Sequence, residues 1–127
     1  MFKPISSLSS FSVNDLARAK QFYAETLGLQ VTDQAPGIQL HLPGGSKAFV
    51  YPKDDHEPAN YTNLDFVVED IDEAIDELER RGVIFEHYEG MPQDDKGVLR
   101  GNKLKKIPDT AWFKDPAGNV FAVLQYA

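Results

Sequence analysis

Two nine-residue segments set 55 positions apart constrain this chain more than any other feature. Residues 11–19 read FSVNDLARA and residues 66–74 read FVVEDIDEA. Phe11, Val13, Asp15 and Ala19 recur as Phe66, Val68, Asp70 and Ala74, and Leu16 becomes Ile71. In each copy an apolar alternation gives way at the Asp to an apolar spacing of three and four. That switch marks a strand running into a helix whose first amides the Asp carboxylate can cap. A strand-helix junction used twice in 127 residues implies two related halves rather than one continuous architecture.

Each half continues in the same way. In the first, Leu16, Ala19, Phe22, Tyr23 and Leu27 form a helical stripe that Gly28 ends. Strands are expected at 29–32, 38–42 and 47–51, punctuated by Pro36-Gly37 and Pro43-Gly44-Gly45. In the second half, 63–68 is a strand, and Asp70 with Glu73 has the spacing of a capping box. Ile71, Ala74, Ile75 and Leu78 make the buried stripe, and Gly82 ends the helix. Strands are expected at 83–86, 110–114 and 120–125, the last two joined by the tight turn DPAGN at 115–119. The expected fold is α+β, with paired βαβββ modules. The whole chain, 1–127, is read as one domain of two halves, about 1–55 and 60–127, joined by the polar stretch 53–60.

Composition narrows the function classes. Twenty acidic against 13 basic residues give a net charge of −7, which disfavours nucleic acid and anionic membranes as partners. No apolar run approaches the ~20 residues that cross a bilayer. The Ser-interrupted N-terminus is a poor signal-peptide core, and cytoplasmic location is the expectation. With no cysteine there is no thiolate nucleophile and no Cys-based metal site.

The segments FSVNDLARAKQFYAETLGLQV (11–31) and DPAGNVFAVLQ (115–125), together with the paired βαβββ order, resemble the vicinal oxygen chelate superfamily. That superfamily includes glyoxalases, extradiol dioxygenases, fosfomycin-modifying enzymes and bleomycin-binding resistance proteins. The resemblance implies curved mixed sheets around a cleft, with helices outside. It also implies a homodimer whose pockets the partner subunit helps to complete. Members with metal chemistry draw up to four ligands, usually His and Glu, from corresponding strand positions of the two halves.

Carried over one at a time, those positions fall on Leu8, Asn63, Val50 or Tyr51, and Ala122. Leu, Val and Ala offer no lone pair, an amide is a weak ligand and a phenol an uncommon one. The expectation is therefore no metal and no cofactor. Strand alternation extends the same phase to Ser10 and Ser12, to Asp65 and Val67, and to Val120 and Leu124. The expected ligand-binding cleft is Leu8, Ser10, His41, Tyr51, Asn63, Asp65, Trp112, Ala122 and Leu124.

Asp65 could bind a cationic group or serve as a general base, or it could be an ordinary exposed Asp. His41 alternates with Gln39 and so shares the cleft phase, whereas His56 and His87 read as surface or structural residues. Tyr88 and Met91 are candidate pocket-lining side chains or simple core. The basic stretch KGVLRGNKLKK (96–106) reads either as a mobile lid over an anion or as a solvated loop. Two functions follow. One is a metal-free protein that holds a small organic molecule in an apolar cleft. The other is a glyoxalase- or dioxygenase-like enzyme with non-standard metal ligands, or with Asp65 and His41 as acid and base.

Overall fold

A computed structural model describes residues 1–105 and 107–127. The chain divides into two units, Met1–Glu57 and Pro58–Ala127. In the first unit, β1 (Ser9–Val13) leads into α1 (Leu16–Gln21), which relaxes into a π-helical turn, Phe22–Thr26. Then follow β2 (Gln30–Gln34), β3 (Gly37–His41) and β4 (Lys47–Pro52), in a sheet of order β1-β4-β3-β2. β1 runs parallel to β4, and the remaining pairs are antiparallel.

In the second unit, β5 (Thr62–Val67), α2 (Ile71–Arg80), β6 (Asp109–Lys114) and β7 (Val120–Gln125) build a sheet of order β5-β7-β6. β5 is parallel to β7 and β6 antiparallel to it. The first strand of each unit thus pairs in parallel with the last, and the next-to-last strand flanks the last. The repeat in the sequence is a repeat in topology.

It extends to the helix caps. Asp15 (φ −141°, ψ 102°) and Asp70 (φ −136°, ψ 105°) hold nearly the same extended backbone. Each Oδ1 accepts from the amide three residues on, Arg18 and Glu73, at 3.1 Å in both cases. Behind each cap, apolar residues bury one face of the sheet. Phe11 and Val13 pack with Val50, Ile38 and Leu40 in the first unit, and Phe11 meets Tyr23 of the π-helical turn edge to face at 6.3 Å. In the second, Phe113, Phe121 and Val123 are buried with Ile71 and Ile75, and the amide of Ile71 donates to Oε1 of Gln125 at 2.8 Å. β7 is buried on both faces along Val120, Phe121, Ala122 and Val123, as a central strand should be.

The strand expected at 83–86 is reduced to one antiparallel bridge, Phe85 to Phe113. It occupies the edge that β2 fills in the first unit. At the start of this segment the Val83 amide still donates to the carbonyl of Leu78 at the end of α2, at 3.0 Å. At its end, Gln93 Nε2 donates to the carbonyl of Glu86 at 2.9 Å. Its Oε1 accepts from the amide of Tyr88 at 2.7 Å. Past Glu86 the edge of β6 is taken by Leu99, which exchanges backbone hydrogen bonds with Thr110 at 2.8 and 3.0 Å, so the segment cannot extend along it. The DPAGN turn forms as expected: Asp115 Oδ1 accepts from Ala117 N at 2.9 Å and Asn119 N at 2.8 Å, with Gly118 at φ 85°. Among the described residues, no helix is long and apolar enough to cross a membrane.

Candidate functional site

On the first unit's sheet, the face turned away from Phe11, Val50 and Leu40 carries the alternate residues. Ser10 pairs with Phe49 and Phe49 with Gln39, while Ser12 pairs with Tyr51 and His41 with Lys47. Phe49 and Tyr51 stack at 5.9 Å with planes 20° apart, both half-buried. Ser12 Oγ and His56 Nδ1 share a hydrogen bond of 2.6 Å, which ties the connecting segment onto this face. His41 Nε2 meets Thr32 Oγ1 at 3.1 Å. Ser10, Tyr51 and His41 therefore lie on one face, whereas Leu8 precedes β1 and is 53% exposed. Phe49 escaped sequence reasoning, although its alternation with Tyr51 was a signal for it.

The second unit's sheet has an equivalent face opposite α2. Asp65, Ala122 and Trp112 form one row across β5, β7 and β6, and Leu124 lies beyond, between Val67 and Thr110. Ala122 is completely buried and Trp112 half-buried. Tyr88 meets Trp112 edge to face at 5.8 Å, and burial, with the Glu86 charge adding to it, pushes the Tyr88 phenol up. Asp65 is exposed, and among the described residues its carboxylate has no ion pair or hydrogen bond. Partial desolvation raises its carboxyl above the ordinary Asp value.

β5 carries a bulge between Thr62 and Leu64, so Thr62, not Asn63, stands opposite Val120. The Trp112 indole N–H donates to Thr62 Oγ1 at 3.2 Å, joining Thr62 to the Trp112 surroundings. Asn63 sits at the bulge with its Oδ1 buried and, among the described residues, without a hydrogen-bond partner. No period-2 reading of the sequence signals this extra residue.

Both readings of the basic stretch 96–106 need correction over 96–101, Lys106 lying outside the described residues. Arg100 makes a two-pronged pair with Asp72 on α2, at 2.8 and 3.1 Å, and its Nε donates to Asp94 Oδ2 at 2.9 Å. Lys96 bridges Asp72 and Asp76 at 3.4 and 2.9 Å. Val98 is fully buried and Leu99 pairs with Thr110. Charge pairing with α2 and apolar burial hold this part of the loop against its own unit. Residues 96–101 are neither a free lid nor a solvated loop, whereas Lys103, Leu104 and Lys105 are exposed.

The sequence profile of the Glyoxalase/Bleomycin resistance protein/Dioxygenase superfamily matches residues 7–123. The chain belongs to that superfamily. Solved relatives agree. An antibiotic binding protein, TnmS3, from Streptomyces sp. CB03234 is 25% identical, with TM-score 0.66 over 99% of this chain and 100% of that one. A superfamily member from Sphaerobacter thermophilus DSM 20745 is also 25% identical, with TM-score 0.64 over 96% and 98%. A glyoxalase/bleomycin resistance protein from Streptomyces sp. CB03234 is 26% identical, with TM-score 0.60 over 94% and 100%. No curated protein matches the chain.

The superfamily's metal positions can be tested against the side chains here. Val50 and Ala122 are fully buried and apolar, and Leu8 is an alkyl group outside the sheet. Asn63 offers one amide oxygen and Tyr51 a phenol. Within each unit, the described residues bring no three His, Asp or Glu side chains together. This donor set does not fit a divalent metal.

Proposed function

We propose that this superfamily member is a metal-free binding protein for a small organic molecule with an aromatic part. The observation that carries the reading is the substitution of Leu8, Asn63 and Ala122, with Val50 or Tyr51, at the positions where metal-dependent relatives keep ligands. The faces that carry two of these positions, Tyr51 and Ala122, also hold aromatic side chains: Phe49 stacked on Tyr51, and Trp112 with Tyr88 packed against it. Aromatic surfaces with a few polar groups are the usual lining of organic-ligand sites. A relative of similar length and 25% identity is an antibiotic binding protein, in keeping with this reading. The superfamily resemblance also leads us to propose a homodimer.

Trp112 is the only tryptophan, so its fluorescence reports on its own surroundings. Titrating a panel of polycyclic aromatic antibiotics should give saturable quenching by at least one member, with unchanged affinity after chelator treatment. Elemental analysis of the gently purified protein should find well under one transition-metal ion per chain. Stoichiometric Ni, Zn, Fe or Mn, or a panel without any saturable binder, overturns the reading. Light scattering checks the dimer against the 14.2 kDa chain mass.

A further inference from the structure

We propose that β5 recognises a protonated amine on the ligand, through Asn63 and Asp65 acting as paired acceptors. This rests on the ligand-binding reading above and names the polar half of that ligand. Two observations on one short strand point to it. Asn63 Oδ1 is buried and accepts no hydrogen bond from the described residues. Asp65, two residues on, has no partner among the described residues.

Buried polar atoms are nearly always paired, and an exception calls for an explanation. Both groups are acceptors at neutral pH: an amide oxygen and a carboxylate. Asn63 Oδ1 lacks a donor, and the exposed Asp65 carboxylate, open to water, has no protein partner among the described residues; one group with several N–H bonds and a positive charge suits both. A primary ammonium supplies three donors and complements the Asp65 charge. A neutral hydroxyl supplies one donor and no charge, and an anion would be repelled.

The neighbours support the assignment. The bulge between Thr62 and Leu64 sets Asn63 apart from the regular ladder, and bulges of this kind re-aim side chains beside sites. Lys114, at the end of β6, is engaged by Glu86 at 3.2 Å. In the same row, beyond Ala122, Trp112 offers an indole for the aromatic part. The ligand class is thus an aromatic molecule bearing a basic nitrogen.

The test uses 9-(aminomethyl)anthracene beside its N-acetyl derivative, which keeps the rings and one N–H but loses the charge. Calorimetric titration of the full chain should show the amine binding at least tenfold more tightly. Asp65→Asn should bring the two within about twofold, since it removes the charge with little change in shape. Asn63→Leu should weaken the amine while raising the melting temperature of the free protein, because it removes an unmet acceptor. Equal affinities in the wild type, or a preference that Asp65→Asn leaves intact, overturn the inference. If the anthracenes fail to bind while neutral aromatic antibiotics quench Trp112, the inference falls and the ligand-binding reading stands. If nothing binds, both fall.

Discussion

Arg100 and Asp72 meet through two parallel hydrogen bonds, Nη2 to Oδ1 at 2.8 Å and Nη1 to Oδ2 at 3.1 Å. The pair spans 28 positions and fastens the loop after Gln93 to the first turn of α2. Planar guanidinium against planar carboxylate is a geometry that Lys cannot reproduce. Both side chains are partly exposed, so solvent screens the pair. Arg100→Met should cost about 1 kcal/mol in urea unfolding. Hydrogen exchange should accelerate at Val98, whose amide donates to Asp94 Oδ1 at 2.9 Å. Unchanged protection there would show that apolar burial alone holds the loop.

The same cluster sets an acid limit. Hydrogen bonding to Arg100 holds Asp72 below the ordinary Asp value. Burial pushes Asp94 up, but the Val98 amide, Arg100 and the Lys96 amide outweigh it and leave Asp94 lowered too. A carboxyl depressed in the folded state gives stability that is complete above the unfolded value of about 3.9. That stability disappears as pH falls through the folded values. Wild-type stability should therefore drop below about pH 4, and more shallowly in Arg100→Met, as followed by thermal melts between pH 2 and 6.

Asp65 acts with the opposite sign. Desolvation raises its carboxyl, so the folded protein holds that proton to higher pH than the unfolded chain does. Its ionisation removes stability as pH rises from about 3.9 through the folded value. Asp65→Asn should make the free protein more stable at pH 7, by at most about 0.5 kcal/mol because the side chain is exposed. The gain should vanish near pH 3. A loss of stability at pH 7 would show that the carboxylate has a stabilising partner in solution.

The residues explain how far the sequence was legible. Asp15 and Asp70 disclosed both helix starts, because a cap depends on local chemistry within one turn. β7 was readable to the residue, since an apolar run after a DPAGN turn has few other structures open to it. The edge at Phe85 was over-read as a strand. Past Glu86 the β6 edge is held by Leu99, a residue that no local pattern around Phe85 signals. The bulge at Asn63 was invisible for a related reason: β5 is shifted against β7, a strand more than 50 positions away. The first part of the basic loop was misread because net charge shows a cluster of cations but not the carboxylates of α2 that meet Lys96 and Arg100.

Gly37 opens β3 at a close approach. A methyl group there would collide with the carbonyl oxygen of Val50 on β4. The obstacle is backbone, so relief requires moving the strand that carries Tyr51. Gly37→Ala should lower stability by about 2 kcal/mol or more, at the upper end of ordinary point substitutions. It should also disturb the Phe49–Tyr51 stack, visible in near-ultraviolet circular dichroism. A neutral result would mean that β3 and β4 separate more readily than their register implies.

Ala122 offers the sharpest test of whether the metal chemistry is gone. It is fully buried between Asp65 and Trp112 in the sheet, where metal-dependent relatives are expected to keep a carboxylate. Ala122→Glu would force a larger ionisable group into that space, beside a carboxylate that desolvation already affects. Desolvation would raise the pKa of the new Glu, and two neighbouring carboxylates would repel. The expected cost is about 2–4 kcal/mol in urea unfolding at neutral pH. One added carboxylate cannot hold a divalent ion with an amide at Asn63 and an alkyl group at Leu8, so Ni or Zn should not restore the midpoint. Asp65→Asn in the same background should recover part of the loss by relieving the repulsion. Strong stabilisation of Ala122→Glu by Zn would mean that further donors reach this position in solution. The metal-free reading would then give way to the enzyme with non-standard ligands.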